Sequence, residues 1–350
     1  MIGIRDSVRG YEAWLRDRLG SRLVEADLAA KHEAMADDAF QFLRGTCWRW
    51  CELAPELCPE LIAAPQVPSV IDSHAGNFGL WRDVEGRLVW GVNDYDEAAV
   101  APWPLDLVRL AASALVAAPD GLGARDVAAA ILEGYARGRE APRPFVLERE
   151  RQWLRALFAA GERAREDFWA KLLALKPARR PDAAFVTALR GALPERGIAA
   201  PIFHRQAGVG SLGRLRLVAA CERWRGGPIA REAKAVLPSC WDRKGRAGAG
   251  YAYATGRFRA PDPWLTCEGD ILVRRLAPNS RKLEPEDVKP HLRRRLLRAM
   301  GRDLAAVHAS DPRRLAALKE DFAARGTGWL AHAARRTAKA TEREWREYRG

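Results

Sequence analysis

The stretch Asp72-Ser73-His74-Ala75-Gly76-Asn77, followed by Val92-Asn93-Asp94-Tyr95-Asp96-Glu97, decides how the rest of the chain is read. A carboxylate, an amide five positions later and further carboxylates beyond a short hairpin supply what phosphoryl transfer asks of a protein. One group orients or deprotonates a hydroxyl, and others hold a divalent cation. Residues 69–71 and 88–92 read as short strands flanking a turn at Glu85-Gly86, so the 72–77 loop and Asp94 fall at strand ends. In this reading Asp72 accepts the acceptor proton, Asn77 offers its amide oxygen to Mg²⁺, and Asp94, with Asp96 beside it, is the main metal carboxylate. His74 either supports the loop through a backbone hydrogen bond or takes part directly.

Farther along, Gly208-Val209-Gly210-Ser211-Leu212-Gly213 would let backbone amides approach phosphates where any side chain collides. A dinucleotide fold asks for strand, turn, helix and a later acidic residue. Here Gly213 leads into the strand-like residues 214–220 instead, which favours a phosphate-covering turn between two strands. Lys234 lies 21 residues beyond Gly213 at the end of a second strand-like run, placed to grip α- and β-phosphates, with an exposed strand lysine as the plain alternative. Gly208, Gly210, Ser211, Gly213 and Lys234 are therefore the predicted nucleotide contacts.

The remainder is compatible with a large, mixed molecule. Its 350 residues are 48% hydrophobic, enough for a substantial core in one bilobed unit or two domains. A net charge of +13 invites an anionic partner, but 58 basic residues are interspersed with 45 acidic ones and no nucleic-acid reading motif accompanies them. Nucleic acid is thus a secondary expectation. No run approaches the roughly 18 apolar residues of a membrane span, and the first residues lack a signal-peptide core, so no membrane and a cytoplasmic location are expected. Of the six cysteines, Cys47, Cys51 and Cys58 follow no common zinc spacing and read as buried or incidental thiols. Helical periodicity occupies residues 6–53, 104–139, 149–175 and 290–309, β patterning residues 202–237 and 271–276, and the basic tail 311–350 is helical in propensity with a frayed end.

Asp72-x-His74-x-Gly76-Asn77 with Val92-x-Asp94-Tyr95-x-x-Ala98 resembles the D-x-H-x-G-N and I-D-W-x-x-A motifs of aminoglycoside phosphotransferase-like kinases, and Asp106-Leu107 ends a stretch similar to their D-P-x-x-D-L. More closely, six segments resemble the bacterial family called domain of unknown function 2252. They are Phe42-Leu43-Arg44-Gly45, His74-x-x-Asn77-Phe78-Gly79, Asn93-Asp94-Tyr95-Asp96-Glu97, Asp106-Leu107-x-Arg109-Leu110-Ala111-x-Ser113, the glycine turn and Leu304-Ala305-x-x-His308-Ala309. Together they cover most of residues 35–310.

The resemblance implies an α+β, protein-kinase-like bilobed fold with a mostly helical large lobe and a small β-rich lobe. Its motif order differs from an ordinary kinase, because the catalytic loop precedes the glycine turn and the lysine. That order implies circular permutation, which surface termini make tolerable. The expected division is an accessory helical segment 1–59, a large lobe 60–195 with the catalytic and metal loops, a small nucleotide-binding lobe 196–290, and helices 291–350 returning to the large lobe. Arg44 either reaches a substrate anion, which places it with Asp72 and His74 among the catalytic residues, or anchors the accessory helices through an ion pair. Ile71 stands where the closer family usually carries glycine, implying a stiffer loop. Residues 241–261, where a kinase supplies the glutamate partner of its lysine, contain no Glu; Glu232 on the same strand face either substitutes or makes a plain surface pair along the strand.

The leading expectation is an ATP- and Mg²⁺-dependent phosphotransferase acting on a hydroxyl of a small molecule or protein. Two others stand beside it: adenylyl transfer on the same fold, and a non-catalytic nucleotide-sensing or nucleic-acid-associated module.

Overall fold

Among the described residues ten strands form three separate sheets, and the loops that leave them carry most of the residues named above. The computed structural model describes residues 2–118, 120–279 and 288–350, so residues 280–287 of the 196–290 segment lie outside the described residues. In chain order the first strands are β1 (Gln66–Ser69), β2 (Phe78–Arg82), β3 (Leu88–Val92), β4 (Ala99–Pro102) and β5 (Phe145–Val146). β1 pairs only with β4, and β2, β3 and β5 make a three-stranded sheet. The hairpin that turns at Gly86 (φ 73°) is β2–β3, so the partner of residues 88–92 is Phe78–Arg82 and not the 69–71 segment expected from sequence. The reason lies in Asp106. Its carboxylate accepts Val70 N–H and Ile71 N–H at 2.7 Å each, and Ile71 takes φ 62°, which ends the extended chain at Ser69.

The remaining strands, β6 (Ile202–His204), β7 (Arg216–Trp224), β8 (Gly227–Ala235), β9 (Thr266–Glu268) and β10 (Ile271–Leu276), form one antiparallel sheet in the order β6-β7-β8-β10-β9. A tight turn at Arg225-Gly226, with φ 48° and 89°, closes the β7–β8 hairpin. Alternation along β7 and β8 sends Leu217, Ala219, Ala233 and Ala235 to one face and Val218, Ala220 and Ala230 to the other. The first face is covered by helix Ile4–Leu19, through Tyr11, Leu15 and Leu19, and by helix Ala183–Gly191 through Phe185 and Leu189. Helix Glu162–Leu173 covers the second face with Leu172 and the partly buried Phe168 and Trp169. Helices that precede the 196–290 stretch thus supply both walls of its sheet.

Helices dominate the mixed α+β architecture, at 52% of residues against 16% strand. Helices Ala124–Glu140 and Pro290–His308 lie so close that a Cβ at Gly134 would strike Arg298 O, and one at Gly301 would strike Ile131 O. Only glycine permits this approach of two backbones. The tail differs from expectation. Helix Trp329–Arg349 runs to the last residue but one, buries Leu330, Ala334 and Ala338, and closes with a buried ion pair from Arg49 Nη2 to Glu344 Oε1 at 2.5 Å. Among the described residues no helix is long and apolar enough to cross a membrane.

Candidate functional site

The 72–77 loop is clamped from beneath by helix Pro104–Ala117. Besides the two amides held by Asp106, Ser73 Oγ donates to Asp106 O at 2.7 Å and Ala75 N–H donates to Ser113 Oγ at 2.9 Å. Asp106 is in turn held by His308 Nε2 at 3.0 Å, whose other ring nitrogen meets Tyr135 OH at 2.7 Å. A β-branched residue at φ 62° costs on the order of 1–3 kcal/mol, and this network over-determines the position where glycine would be unstrained.

The loop presents Asp72 to a salt bridge from Arg109, whose Nε and Nη2 donate to Oδ1 at 3.0 and 2.5 Å while Nη2 also reaches Leu43 O. Burial pushes the Asp72 carboxyl above its ordinary range, and the Arg109 guanidinium pulls the other way. His74 is buried with Nε2 3.8 Å from Asp72 Oδ2 and its ring edge-on to Phe40. Asn77 Nδ2 bridges Asp72 O and Asp94 O at 3.0 Å each. Those bonds fix the amide, and among the described residues its buried Oδ1 has no hydrogen-bond partner.

Asp94 and Asp96 follow β3. Lys234 of β8 extends its ammonium to Asp96 Oδ2 at 2.7 Å and Asp94 Oδ1 at 3.5 Å, and Tyr251 OH donates to the same two carboxylates at 2.7 and 3.3 Å. Arg214, the residue after the glycine turn, joins Asp96 at 3.3 Å and Glu97 at 3.0 Å. Asp96, given as a metal ligand by the sequence, therefore has both oxygens engaged by cationic or hydroxyl donors and serves as the counter-charge of Lys234. Glu232 does not take that part: Arg205, Arg216 and Arg274 converge on it and hold its carboxyl far below the usual range against the opposing effect of burial.

The glycine turn sits directly over this group. Gly208 has φ 76° and Gly213 φ 95°, and Val209–Ser211 form a single 3₁₀ turn. A Cβ on Gly210 would lie 3.1 Å from Arg44 O and 3.8 Å from Asp72 Oδ2, and one on Gly213 would press on Leu28 at 2.5 Å. Lys31 braces the turn from outside, donating to Gly210 O at 3.2 Å while its ammonium lies 4.9 Å from the Trp48 ring. A small cavity of about 50 Å³ is lined together by Arg44, Asp72, His74, Asn77, Asp94 and Asp96 on one side and by Gly208, Gly210 and Ser211 on the other. Arg44 also hydrogen-bonds Gln41 and lies over the Phe40 ring. A second, larger cavity of about 300 Å³ shares Arg44, Asp94, Gly208 and Ser211 with the first and extends past Trp81 and Leu265 under the sheet.

Arg109, Tyr251 and Arg214 were not among the residues singled out from sequence. Arg109 does stand inside the quoted Asp106-Leu107-x-Arg109 segment, one helical turn from the Asp106 clamp, which is the signal for it. Nothing local marks Tyr251, which lies 155 residues from Asp96. Among the described residues no three His, Cys, Asp or Glu side chains come together as a metal cage, so any cation here would rely on carboxylate, amide and ligand oxygens.

No curated protein and no solved structure matches the chain. The match to a family profile ends at residue 180, so it covers Asp72, Asn77, Asp94 and Arg109 and leaves the glycine turn and Lys234 outside, a shorter span than the sequence resemblance suggested. Over residues 22–180 the chain is similar to the bacterial family described as "Uncharacterized protein conserved in bacteria (DUF2252)".

Proposed function

We propose that the chain is an ATP- and Mg²⁺-dependent phosphotransferase with a circularly permuted, kinase-like bilobed arrangement. The observation that carries this reading is the meeting of two distant segments: Gly210 stands over Asp72 while Lys234 reaches Asp94 and Asp96 from the third strand of the five-stranded sheet. A glycine-rich turn between the first two strands, a lysine on the third, a catalytic-loop aspartate with an asparagine five residues on, and a metal aspartate beyond are the working parts of kinase-type phosphoryl transfer.

Asp72, fixed by Arg109 and raised by burial, orients the acceptor hydroxyl and receives its proton. Asn77 Oδ1 and the Asp94 carboxylate are the oxygen donors that would hold Mg²⁺, and the unsatisfied buried Oδ1 fits such a ligand. Bound there, the ion would neutralise charge on the transferring group. Lys234 neutralises phosphate oxygens, exchanging part of its contact with Asp96 for them. The turn 208–213 supplies backbone amides and excludes water from above.

The test is thermal stabilisation by Mg-ATP in the wild type and in Asp94→Ala. The Asp94 side chain is 26% exposed and Lys234 keeps Asp96 at 2.7 Å without it, so the variant should fold. At a ligand concentration a hundred times Kd the wild type gains about 2.7 kcal/mol and the variant loses most of that gain. An unchanged shift in Asp94→Ala overturns the assignment.

A further inference from the structure

The larger cavity is lined by six arginines, Arg44, Arg205, Arg216, Arg259, Arg274 and Arg275, against two aspartates, Asp94 and Asp262. Some of these charges are already answered. Arg259 donates to the buried Asp303 at 2.7 Å, Arg275 to Asp262 at 3.1 Å, and Asp94 faces Lys234. Arg205, Arg216 and Arg274 all pair with the single carboxylate of Glu232, and among the three Arg274 also feels the charge of Asp94. A carboxylate has about four lone-pair sites and three guanidiniums carry fifteen N–H donors, so most of these donors face elsewhere. Arg216 uses one on Ser211 Oγ at 2.7 Å, in the glycine turn. The side chains of Arg205 and Arg274 keep 25% and 24% of their surface open.

Burial of three like charges round one counter-ion is costly unless a further anion completes the set. Burial, joined by the like charges of Arg216 and Arg274 and opposed by Glu232, lowers the proton affinity of Arg205. Planar guanidiniums in a forked array suit phosphate better than a point charge would. Asp94 and Ser211 border the same space, so an anion bound there would abut the group described above.

We propose that Arg205, Arg216 and Arg274 form a binding site for a phosphate-bearing ligand of at least two negative charges. It is filled either by the phosphate chain of the nucleotide itself or by a phosphorylated acceptor. Its use in catalysis rests on the phosphotransferase reading, but the site stands on side chains that reading does not employ.

Calorimetric titration of the full chain with inorganic tripolyphosphate, without magnesium and at about 0.15 M salt, tests it. One site per chain is expected, with affinity falling about tenfold or more in Arg205→Gln/Arg274→Gln. Arg205→Lys/Arg274→Lys should recover part of the loss. If the double glutamine variant does not fold, Arg205→Gln alone leaves Glu232 two guanidiniums and should still weaken binding at least about threefold. No binding to the wild type, many weak sites, or indifference to the changes at Arg205 and Arg274 overturns the proposal. Repeating the titration with a non-hydrolysable Mg-ATP analogue in place separates the sources. Competition identifies the nucleotide's own chain, and simultaneous binding identifies an acceptor phosphate. Asp94→Ala should keep tripolyphosphate binding, so a wild type that binds tripolyphosphate but not Mg-ATP removes the nucleotide reading and leaves this site standing.

Discussion

Replacing Lys234 by Met separates two jobs that the structure gives one side chain. The lysine is 1% exposed, and its ammonium is held by Asp96 at 2.7 Å and Asp94 at 3.5 Å. Taking one partner from a buried ion pair costs roughly 3–5 kcal/mol. Asp96 keeps Tyr251 at 2.7 Å and Arg214 at 3.3 Å, and the methionine stem preserves most of the packing, which argues for the low end, about 3 kcal/mol. At roughly 2 °C per kcal/mol for large domains, Tm should fall by about 6 °C without ligand. The second job is phosphate binding. Loss of a charge-assisted hydrogen bond is worth about 1.5–3 kcal/mol, or roughly ten- to a hundredfold in affinity. A Mg-ATP concentration that stabilises the wild type by about 2.7 kcal/mol should then stabilise the variant by only about 0.4–1.4 kcal/mol. Scanning fluorimetry with and without Mg-ATP reads both numbers. A variant that loses the 6 °C but keeps the full nucleotide increment refutes the phosphate grip, and one that loses neither refutes the energetic account of the buried pair.

Three other outcomes follow from the geometry. Gly210→Ala puts a methyl 3.1 Å from Arg44 O and toward Asp72, so the turn must rise by a few tenths of an ångström; Mg-ATP affinity should drop several-fold with Tm nearly unchanged, checked by titration. Glu344→Ala strands Arg49 in a buried setting and should lower stability by about 3–5 kcal/mol in a urea melt, because the remaining Glu52 contact at 3.1 Å is partly exposed. Burial, reinforced by the Arg214 charge, lowers the Lys31 ammonium to about 8, so the unfolded chain holds that proton more tightly than the folded one between about pH 8 and the ordinary lysine value near 10.4. Stability contributed through Lys31 therefore rises with pH across that window, and the slope of the urea midpoint against pH should be smaller in Lys31→Met than in the wild type.

What the sequence disclosed and what it withheld divide along a physical line. That Asp72, Asn77 and Asp94 come together was legible because it depends on spacing within one strand-loop-strand unit, and strands Leu88–Val92 and Ile271–Leu276 because their alternation is local. Strand Phe78–Arg82 was overlooked, since the apolar run before Asp72 looked as strand-like until Asp106, 35 residues on, took its amides. The same distance effect hid the partner of Lys234. Glu232 was the near neighbour in sequence, but three arginines from β10, β7 and the end of β6 had claimed it, and the counter-charge came from Asp96 instead. Charge pairing across more than a hundred residues leaves no periodicity to read. The tail appeared ready to fray because its basic residues dominate the composition, whereas a stripe of Leu330, Ala334, Ala338 and Glu344 on one helical face decides its fate.

The covering of the five-stranded sheet also has a consequence for how the chain is made. Leu15 and Leu19 emerge first, yet the sheet residues of the core they share, Leu217 and Ala233, are about two hundred positions away. At synthesis rates of roughly 5–20 residues per second, the apolar flank of helix Ile4–Leu19 waits on the order of ten to forty seconds for its surface to exist. During that interval Tyr11 has one aromatic companion already made, Trp48, whose ring stacks on it at 3.9 Å. A nascent chain stalled before residue 217 should therefore be sticky at its beginning, and its release should require the β7–β8 hairpin and not merely more helix.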